Sequence, residues 1–337
     1  MVKPTLTPPA FWWRKAGITA HLLRPFAALM ALVARRRRRQ RGWIAPVPVL
    51  CVGNLTVGGT GKTTVVLDFA RRLNARGERV HCLTRGYGGR LGRGGQPVHV
   101  EPARHDARDV GDEALLLAEV APTWVCADRA AAAKAACAAG ATCLLMDDGF
   151  QNPSLHRTLS LVLVDGAVGF GNGLPLPAGP LREGLDAGLA ATDVVVITGE
   201  DRSGTAERLA HHAPNKPVLS AGLVMDAPPE QARTRPIVAF AGLARPDKFF
   251  EGLRTLGIQP VSCVPFPDHH VLTEREHNSL LALARTHNAL LLTTPKDAVR
   301  LPPVFRQKVE VIGVNLQWNT PRSVERLLDR LLNKEPS

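Results

Sequence analysis

Residues 52–64, V-G-N-L-T-V-G-G-T-G-K-T-T, constrain this chain more than any other stretch. The run follows an apolar strand predicted over 47–52 and opens a helix predicted over 62–75. In that helix Val66, Phe69, Ala70 and Leu73 form one stripe, and Gly77 is the stop signal. Glycines at such a junction let the backbone curl until successive N–H groups face phosphate oxygens, and the helix N-terminus adds partial positive charge. The block Gly58, Gly59, Thr60, Gly61, Lys62, Thr63 is intact. Lys62 has the reach for β- and γ-phosphates, and Thr63 offers a hydroxyl to Mg2+. The strict phosphate-loop pattern wants glycine where Thr56 stands, so the first half of the loop departs from it.

Around this block short apolar strands alternate with helices. Strands are predicted over 79–84, 142–146, 159–164 and 193–198, and helices over 114–119 and 129–139, which argues for a parallel sheet covered on both faces. The pattern loosens over 215–236, read as an inter-domain connection. A second α/β unit follows, with strands over 237–240, 289–293 and 309–314 and helices over 249–256, 274–286 and 323–332. The expected architecture is therefore α/β: a P-loop kinase-like parallel-sheet core over 46–225, a smaller C-terminal α/β domain over 226–337 closing a cleft, and a basic membrane-associated helix within 1–45.

The net charge of +12 would suggest a nucleic-acid partner if it were spread over the fold. It is not: residues 1–45 hold ten basic side chains, Lys3, Arg14, Lys15, Arg24, Arg35 to Arg39 and Arg41, and no acidic one. The apolar run 17–34 precedes the arginines, and Trp12, Trp13 and Trp43 flank it. Interrupted by Arg24 and Pro25, the run is slightly short for a span. It suits a helix lying in the interface, with tryptophans at headgroup depth and arginines on anionic lipid phosphates. A helix packed on its own domain and a single membrane anchor are the alternatives; the anchor would keep the arginine end in the cytoplasm. The positive cluster follows the apolar run, which is the wrong order for a signal peptide. Six scattered cysteines without a C-x-x-C pair read as reduced cytosolic thiols.

Other groups could complete a phosphotransfer site, although each also has a plain structural reading. Asp147 and Asp148 end the strand C-L-L-M, where a carboxylate can hold Mg2+ or cap the next helix. Asp112 and Glu113 precede A-L-L-L-A and could equally complement a helix dipole. The histidines of F-P-D-H-H, residues 266–270, stand before a capping box at Thr273 and Glu276 and gain interest only if the second domain closes on the first. The glycine- and proline-rich loops 85–90 and 176–183 carry arginines suited to an anionic ligand, as generic turns also can.

Read in order, V-G-N-L-T-V-G-G-T-G-K-T, T-R-G-Y-G-G, G-D-E-A-L-L-L-A, A-D-R, D-D-G-F-Q, G-N-G-L-P-L-P-A-G-P-L-R-E, F-A-G-L-A-R-P-D-K-F-F, F-P-D-H-H and T-P-K-D-A-V-R resemble the tetraacyldisaccharide 4'-kinase family of lipid A biosynthesis over nearly the whole chain. The resemblance implies transfer of the γ-phosphate of ATP to the 4'-hydroxyl of a tetraacyldisaccharide 1-phosphate at the cytoplasmic face of the bacterial inner membrane. It also implies two domains joined by a two-stranded linker, with the active site between them. On matching positions it makes Lys62 catalytic and nucleotide-binding, assigns Thr56, Gly58, Gly59, Thr60, Gly61 and Thr63 to the nucleotide, and gives Thr63, Glu113, Asp147 and Asp148 to Mg2+. Asp112 becomes the base with His269 as its partner, Arg129 and Arg182 phosphate contacts, and Tyr87 a nucleotide-side contact. Thr64 stands where the family usually has proline and Asn152 where it often has histidine; neither change removes a group the chemistry needs.

The expected partners are a lipid-linked disaccharide and an anionic membrane surface, with the enzyme a monomer and no nucleic acid involved. Rival readings have weaker support. A switch or partition ATPase would carry lysine where Val57 stands, no guanine-reading N-K-x-D occurs, and a soluble small-molecule kinase has no use for the apolar N-terminal run.

Overall fold

The computed structural model describes residues 8–243 and 245–333. Lys3, Ala244 of the F-A-G-L-A-R-P-D-K-F-F run and the end of the expected C-terminal unit, 334–337, lie outside the described residues. Strands β1 (Val49–Asn54), β2 (Val80–Thr84), β3 (Val98–His99), β4 (Thr123–Val125), β5 (Cys143–Asp147), β6 (Leu159–Asp165), β7 (Val194–Thr198) and β8 (Val218–Met225) precede the small unit's β9 (Ile237–Ala241), β10 (Pro260–Pro265), β11 (Leu290–Thr293) and β12 (Val309–Val311). The last strand is β13 (Val314–Trp318). The large sheet has the order β13-β8-β7-β6-β1-β5-β2-β4-β3, and the small one β10-β9-β11-β12. From β8 to β4 every pairing is parallel, with antiparallel strands only at the two edges.

β1 is buried along its whole length because helices cover both faces of the sheet. Leu50 and Val52 face one core, packed against Val66, Phe69 and Leu73 of the helix Lys62–Ala75; Val49 and Cys51 face the other, with Ala132, Ala133 and Ala136 of the helix Arg129–Ala138. That division is the period-two alternation of a strand.

Several parts of the chain differ from the sequence-based expectation. Residues 218–225, read as a loose connection, form β8, and the predicted strand 309–314 is divided between β12 in the small sheet and β13 in the large one. The terminal helix Pro321–Leu331, expected with the small unit, packs on the large core through Val324, Leu327, Leu328 and Leu331. Ion pairs Arg72–Glu325 and Arg76–Asp329, both 2.7 Å, and a 2.8 Å bond from Trp318 Nε1 to Asp68 fasten the same surface. The chain thus leaves the large unit after β8 and returns at β13. These two strands pair antiparallel at the edge of the large sheet, one carrying the chain out to the small unit and the other bringing it back. At the crossing Asp226 N–H donates to Gly313 O at 3.0 Å, and a side chain at Gly313 would stand 2.6 Å from the Asp226 carboxylate.

The N-terminal helix Ile18–Arg38 turns Ala20 and Ala27 inward and leaves Ile18, Leu22, Phe26, Leu29, Leu32 and Val33 exposed. It is long and apolar enough to cross a membrane. The arginine run behind it is not uniformly solvated. Arg35, Arg36, Arg37 and Arg39 are exposed, whereas Arg38 Nε donates to the buried Glu183 at 2.6 Å and its guanidinium lies 4.8 Å from the Phe150 ring centroid.

Because Leu328 is fully buried in the large core, Leu328→Ala is expected to destabilise the protein by about 2–5 kcal/mol, the cost of a deep leucine truncation. Denaturant unfolding of the detergent-solubilised protein measures it. A change below about 0.5 kcal/mol, the range of surface substitutions, would place the terminal helix outside that core.

Candidate active site

The parallel strands of the large sheet bring their C-terminal ends to one edge, and the chemistry collects there. β1 ends at Asn54, whose Nδ2 donates to Gly58 O at 3.3 Å across the phosphate loop. Gly58 and Gly61 take φ of 116° and 80°, values that other residues rarely adopt, and Gly61 leads directly into the helix bearing Lys62 and Thr63. No atom lies within 4 Å of where a side chain would begin at Gly58 or Gly59, so the loop amides border open space. The loop's first half is stapled elsewhere: Thr56 bridges Leu181, Val57 N–H donates to Pro180 O at 2.9 Å, and Arg182 N–H to Leu55 O at 2.7 Å. Thr56 therefore serves the frame of the loop, and the hydroxyl of buried Thr60 has no protein partner.

β5 runs beside β1 and delivers the aspartate pair. Thr63 Oγ1 donates to Asp147 Oδ2 at 3.3 Å; Asp147 Oδ1 is buried without a partner. Burial, then the nearby charge of Glu113, push the Asp147 carboxyl well above the usual range; burial likewise raises Glu113. Two acids so placed would be relieved by a cation, and Thr63, Asp147 and Glu113 supply the hard oxygen donors that Mg2+ takes. No set of three or more His, Cys, Asp or Glu side chains forms a ready-made metal cage among the described residues.

Asp148, at φ 47°, turns away from its neighbour, with Arg182 Nη1 at 3.0 Å and Lys62 Nζ at 3.7 Å. Arg182 also donates to Gln151 Oε1 at 3.2 Å. Arg129 is buried behind the pair, donating to Cys126 O; burial lowers its pKa, and its Nε has no partner.

The other carboxylate joins the two units. Asp112 opens the helix Asp112–Ala118, and it caps nothing beyond accepting Glu113 N–H on Oδ1 at 3.0 Å, so dipole complementation alone does not explain it. Its Oδ2 accepts His269 Nδ1–H at 2.9 Å and Arg300 Nη2 and Nε at 2.6 and 3.2 Å, with Lys296 Nζ 4.0 Å away. Burial acts to raise this carboxyl, but the His269 bond and the Arg300 and Lys296 charges outweigh it and hold Asp112 well below the usual range.

His269 and His270 part company: His270 Nε2 bonds Glu276 at 3.0 Å and stacks on Phe266, a structural role, while His269 at φ 57° reaches across the cleft. Tyr87, largely exposed, stands with its ring centroid 6.0 Å from that of His269. Arg300, Lys296 and Gln151 were missed as individual site residues. The signal for Lys296 and Arg300 is that T-P-K-D-A-V-R follows a predicted strand end, as the phosphate loop does, and for Gln151 that it closes D-D-G-F-Q after another.

Comparison with known proteins gives the chain its family. A family model described as tetraacyldisaccharide-1-P 4'-kinase matches residues 19–333. The tetraacyldisaccharide 4'-kinase of Gluconacetobacter diazotrophicus is 56% identical over 330 residues, covering 98% of this chain and 99% of that protein. That of Gluconobacter oxydans is 51% identical over 332 residues, with the same two coverages. The crystal structure of the "apo" form of LpxK from Aquifex aeolicus in complex with ATP superposes with a TM-score of 0.73 at 26% identity, covering 94% of this chain and all of that one. With matches this long, the chain belongs to the tetraacyldisaccharide-1-P 4'-kinase family.

Proposed function

We propose that this kinase transfers the γ-phosphate of ATP to the 4'-hydroxyl of a tetraacyldisaccharide 1-phosphate, a lipid A precursor, with Mg2+ as its metal and at the cytoplasmic face of the inner membrane. The observation that carries the reading is the meeting, in one cleft, of a phosphate loop ending in Lys62 with the Asp112–His269 pair drawn from the two units. The ATP in the Aquifex aeolicus relative supports the choice of nucleotide.

Phosphoryl transfer asks a protein mainly for positioning and charge neutralisation. The amides from Gly58 to Thr63 and the Lys62 ammonium bind the phosphates, and Arg182 and Arg129 add positive charge beside Asp148 and Asp147. Thr63, Glu113 and Asp147, with Asp148 beyond, are the side chains that would hold Mg2+ or its waters, and the ion would supply neutralisation of charge on the transferring group. Asp112 Oδ2 is already taken by His269 and Arg300, whereas Oδ1 accepts one backbone N–H, so Oδ1 is the atom with capacity for the substrate hydroxyl. A carboxylate held at low pKa is a weak base. It suffices where the transition state is loose and the proton leaves late. Tyr87 would flank the nucleotide side of His269.

The acyl chains call for an enzyme at the bilayer. The exposed apolar face of the helix Ile18–Arg38 suits the lipid interface, and the free arginines behind it suit anionic headgroups.

Lys62→Ala is expected to abolish transfer, and Asp112→Asn to lower kcat by about two to four decades, the usual scale for positioned acid–base groups. Single-turnover transfer from labelled ATP measures both, and near-normal turnover in Asp112→Asn would reject its role. Glu113→Gln is expected to raise the half-saturating Mg2+ concentration; an unchanged Mg2+ titration would remove Glu113 from the metal shell. Leu22→Glu with Phe26→Glu is expected to cut cosedimentation with vesicles containing phosphatidylglycerol, and equal binding would sink the membrane role of that face.

A further inference from the structure

Arg300 enters the reaction scheme above only as an occupant of Asp112 Oδ2. It belongs to the small unit, just past the short helix Pro295–Ala298, and its side chain is only 3% exposed. Each guanidinium nitrogen is committed. Nη2 and Nε bind Asp112 Oδ2, while Nη1 faces Asp297 Oδ1 at 3.1 Å and the carbonyls of Gly242 and His270 at 3.3 and 3.4 Å. Four of its five N–H groups are thereby engaged, and the fifth, on Nη2, belongs to a side chain that is almost wholly buried, so Arg300 is badly placed to serve a nucleotide or a sugar. Lys296 contrasts with it: 26% exposed, its ammonium is 3.5 Å from His269 Nε2 and 3.8 Å from Asp268 and stays accessible to the cleft.

Arg300 is itself held rigidly. Asp297 Oδ1 accepts Gly242 N–H at 2.9 Å, and Asp297 Oδ2 accepts the Thr294 hydroxyl at 2.6 Å, so the carboxylate behind Arg300 is locked to the ends of β9 and β11. A side chain at Gly242 would start 2.9 Å from Asp297 Oδ1 and 3.4 Å from Arg300 Nη1, so the strand end must be bare for this packing to exist. Next to Arg300, Val299 packs on the apolar cluster of Val110, Ala114, Leu115 and Val125 beside Asp112. A charged pair with both partners buried is costly unless further hydrogen bonds support it, and here Asp297 and two backbone carbonyls hold the arginine while His269 and the Glu113 N–H hold the aspartate.

We infer that Arg300 is a positioning residue of this kinase: by gripping Asp112 Oδ2 from the opposite unit, it fixes the carboxylate that meets the acceptor hydroxyl and leaves Oδ1 as the reacting oxygen. The inference rests on the kinase reading above. It implies that Arg300 works only through Asp112 and makes no contribution to nucleotide affinity.

The test uses full-length enzyme in mixed micelles with tetraacyldisaccharide 1-phosphate and Mg·ATP. Arg300→Ala is expected to lower kcat by about 10- to 100-fold, the scale of a reacting group misplaced by an ångström, with KM for ATP unchanged. Arg300→Lys, which keeps the charge but not the two-nitrogen grip, is expected to recover part of the loss. In the background of Asp112→Asn the same Arg300→Ala change is expected to cost less than threefold, because the two act as one unit. Should Arg300→Ala fail to fold, Asp297→Asn loosens the arginine from behind and is expected to lower kcat several-fold, again without adding to Asp112→Asn. Normal kcat in the Arg300 or Asp297 variants, a matching rise in KM for ATP, or losses that multiply with Asp112→Asn would overturn the inference. If wild-type enzyme transfers phosphate and Asp112→Asn is impaired while these outcomes appear, the positioning role alone falls. If wild-type enzyme transfers nothing to the lipid, the kinase reading fails instead.

Discussion

Everything in this site depends on a parallel sheet having all its strand ends point the same way. Parallel pairing forces each strand to be followed by a crossover, so loops with helix N-termini gather along one edge. β1 contributes the phosphate loop there, and β5, its hydrogen-bonded neighbour, contributes Asp147 and Asp148. Thr63 and Asp147 are 3.3 Å apart because the two strands are in register, not because the residues are near in sequence. The apolar burial of β1 on both faces makes that register rigid, and rigidity is what a site that works by positioning needs.

The second sheet repeats the arrangement at smaller scale and faces its own strand ends toward the first. β9 leads to Gly242, β10 to the Asp268–His270 turn, and β11 to Thr294 and the Lys296–Arg300 segment. Three cationic or donor groups from that edge meet the single carboxylate of Asp112. The two edges thus differ in electrostatic character. The large unit holds buried acids whose ionisation is disfavoured until a cation arrives; the small unit brings the positive charge that keeps Asp112 ionised. The antiparallel pair β8–β13 is the covalent joint between them. Arg72 and Arg76 tie the terminal helix back to the phosphate-loop helix, and Trp318 ties β13 to it, so the joint is anchored in the nucleotide-binding core.

Local chemistry was legible in the sequence, and long-range partnership was not. The phosphate loop could be read because its glycines, lysine and threonine act within six consecutive residues of one strand-to-helix turn. β8 was not read as a strand because it lies next to the sheet's edge, half exposed, with Gly222 inside it and Pro228 and Pro229 just beyond, so neither burial nor alternation marks it. The transfer of β13 to the large sheet was equally hidden: only Gly313 separates the region's two strands from a single apolar run, and no local period says which sheet each joins. His269 and His270 are indistinguishable by composition; only the family resemblance singled out His269, and the fold gives the contacts, sending it to Asp112 and His270 to Glu276. Arg300 meets Asp112 across 188 residues of chain, a distance over which a single sequence carries no signal.

The central claim is that the loop edge and the Asp112 edge act on one phosphoryl group and one sugar hydroxyl. The most direct measurement follows 32P from γ-labelled ATP into purified tetraacyldisaccharide 1-phosphate, with the product's phosphorus positions read by NMR. The account predicts a disaccharide bisphosphate carrying the new phosphate at the 4' oxygen, formed in proportion to ATP consumed. Label released only as inorganic phosphate, at a rate indifferent to the lipid, would contradict it.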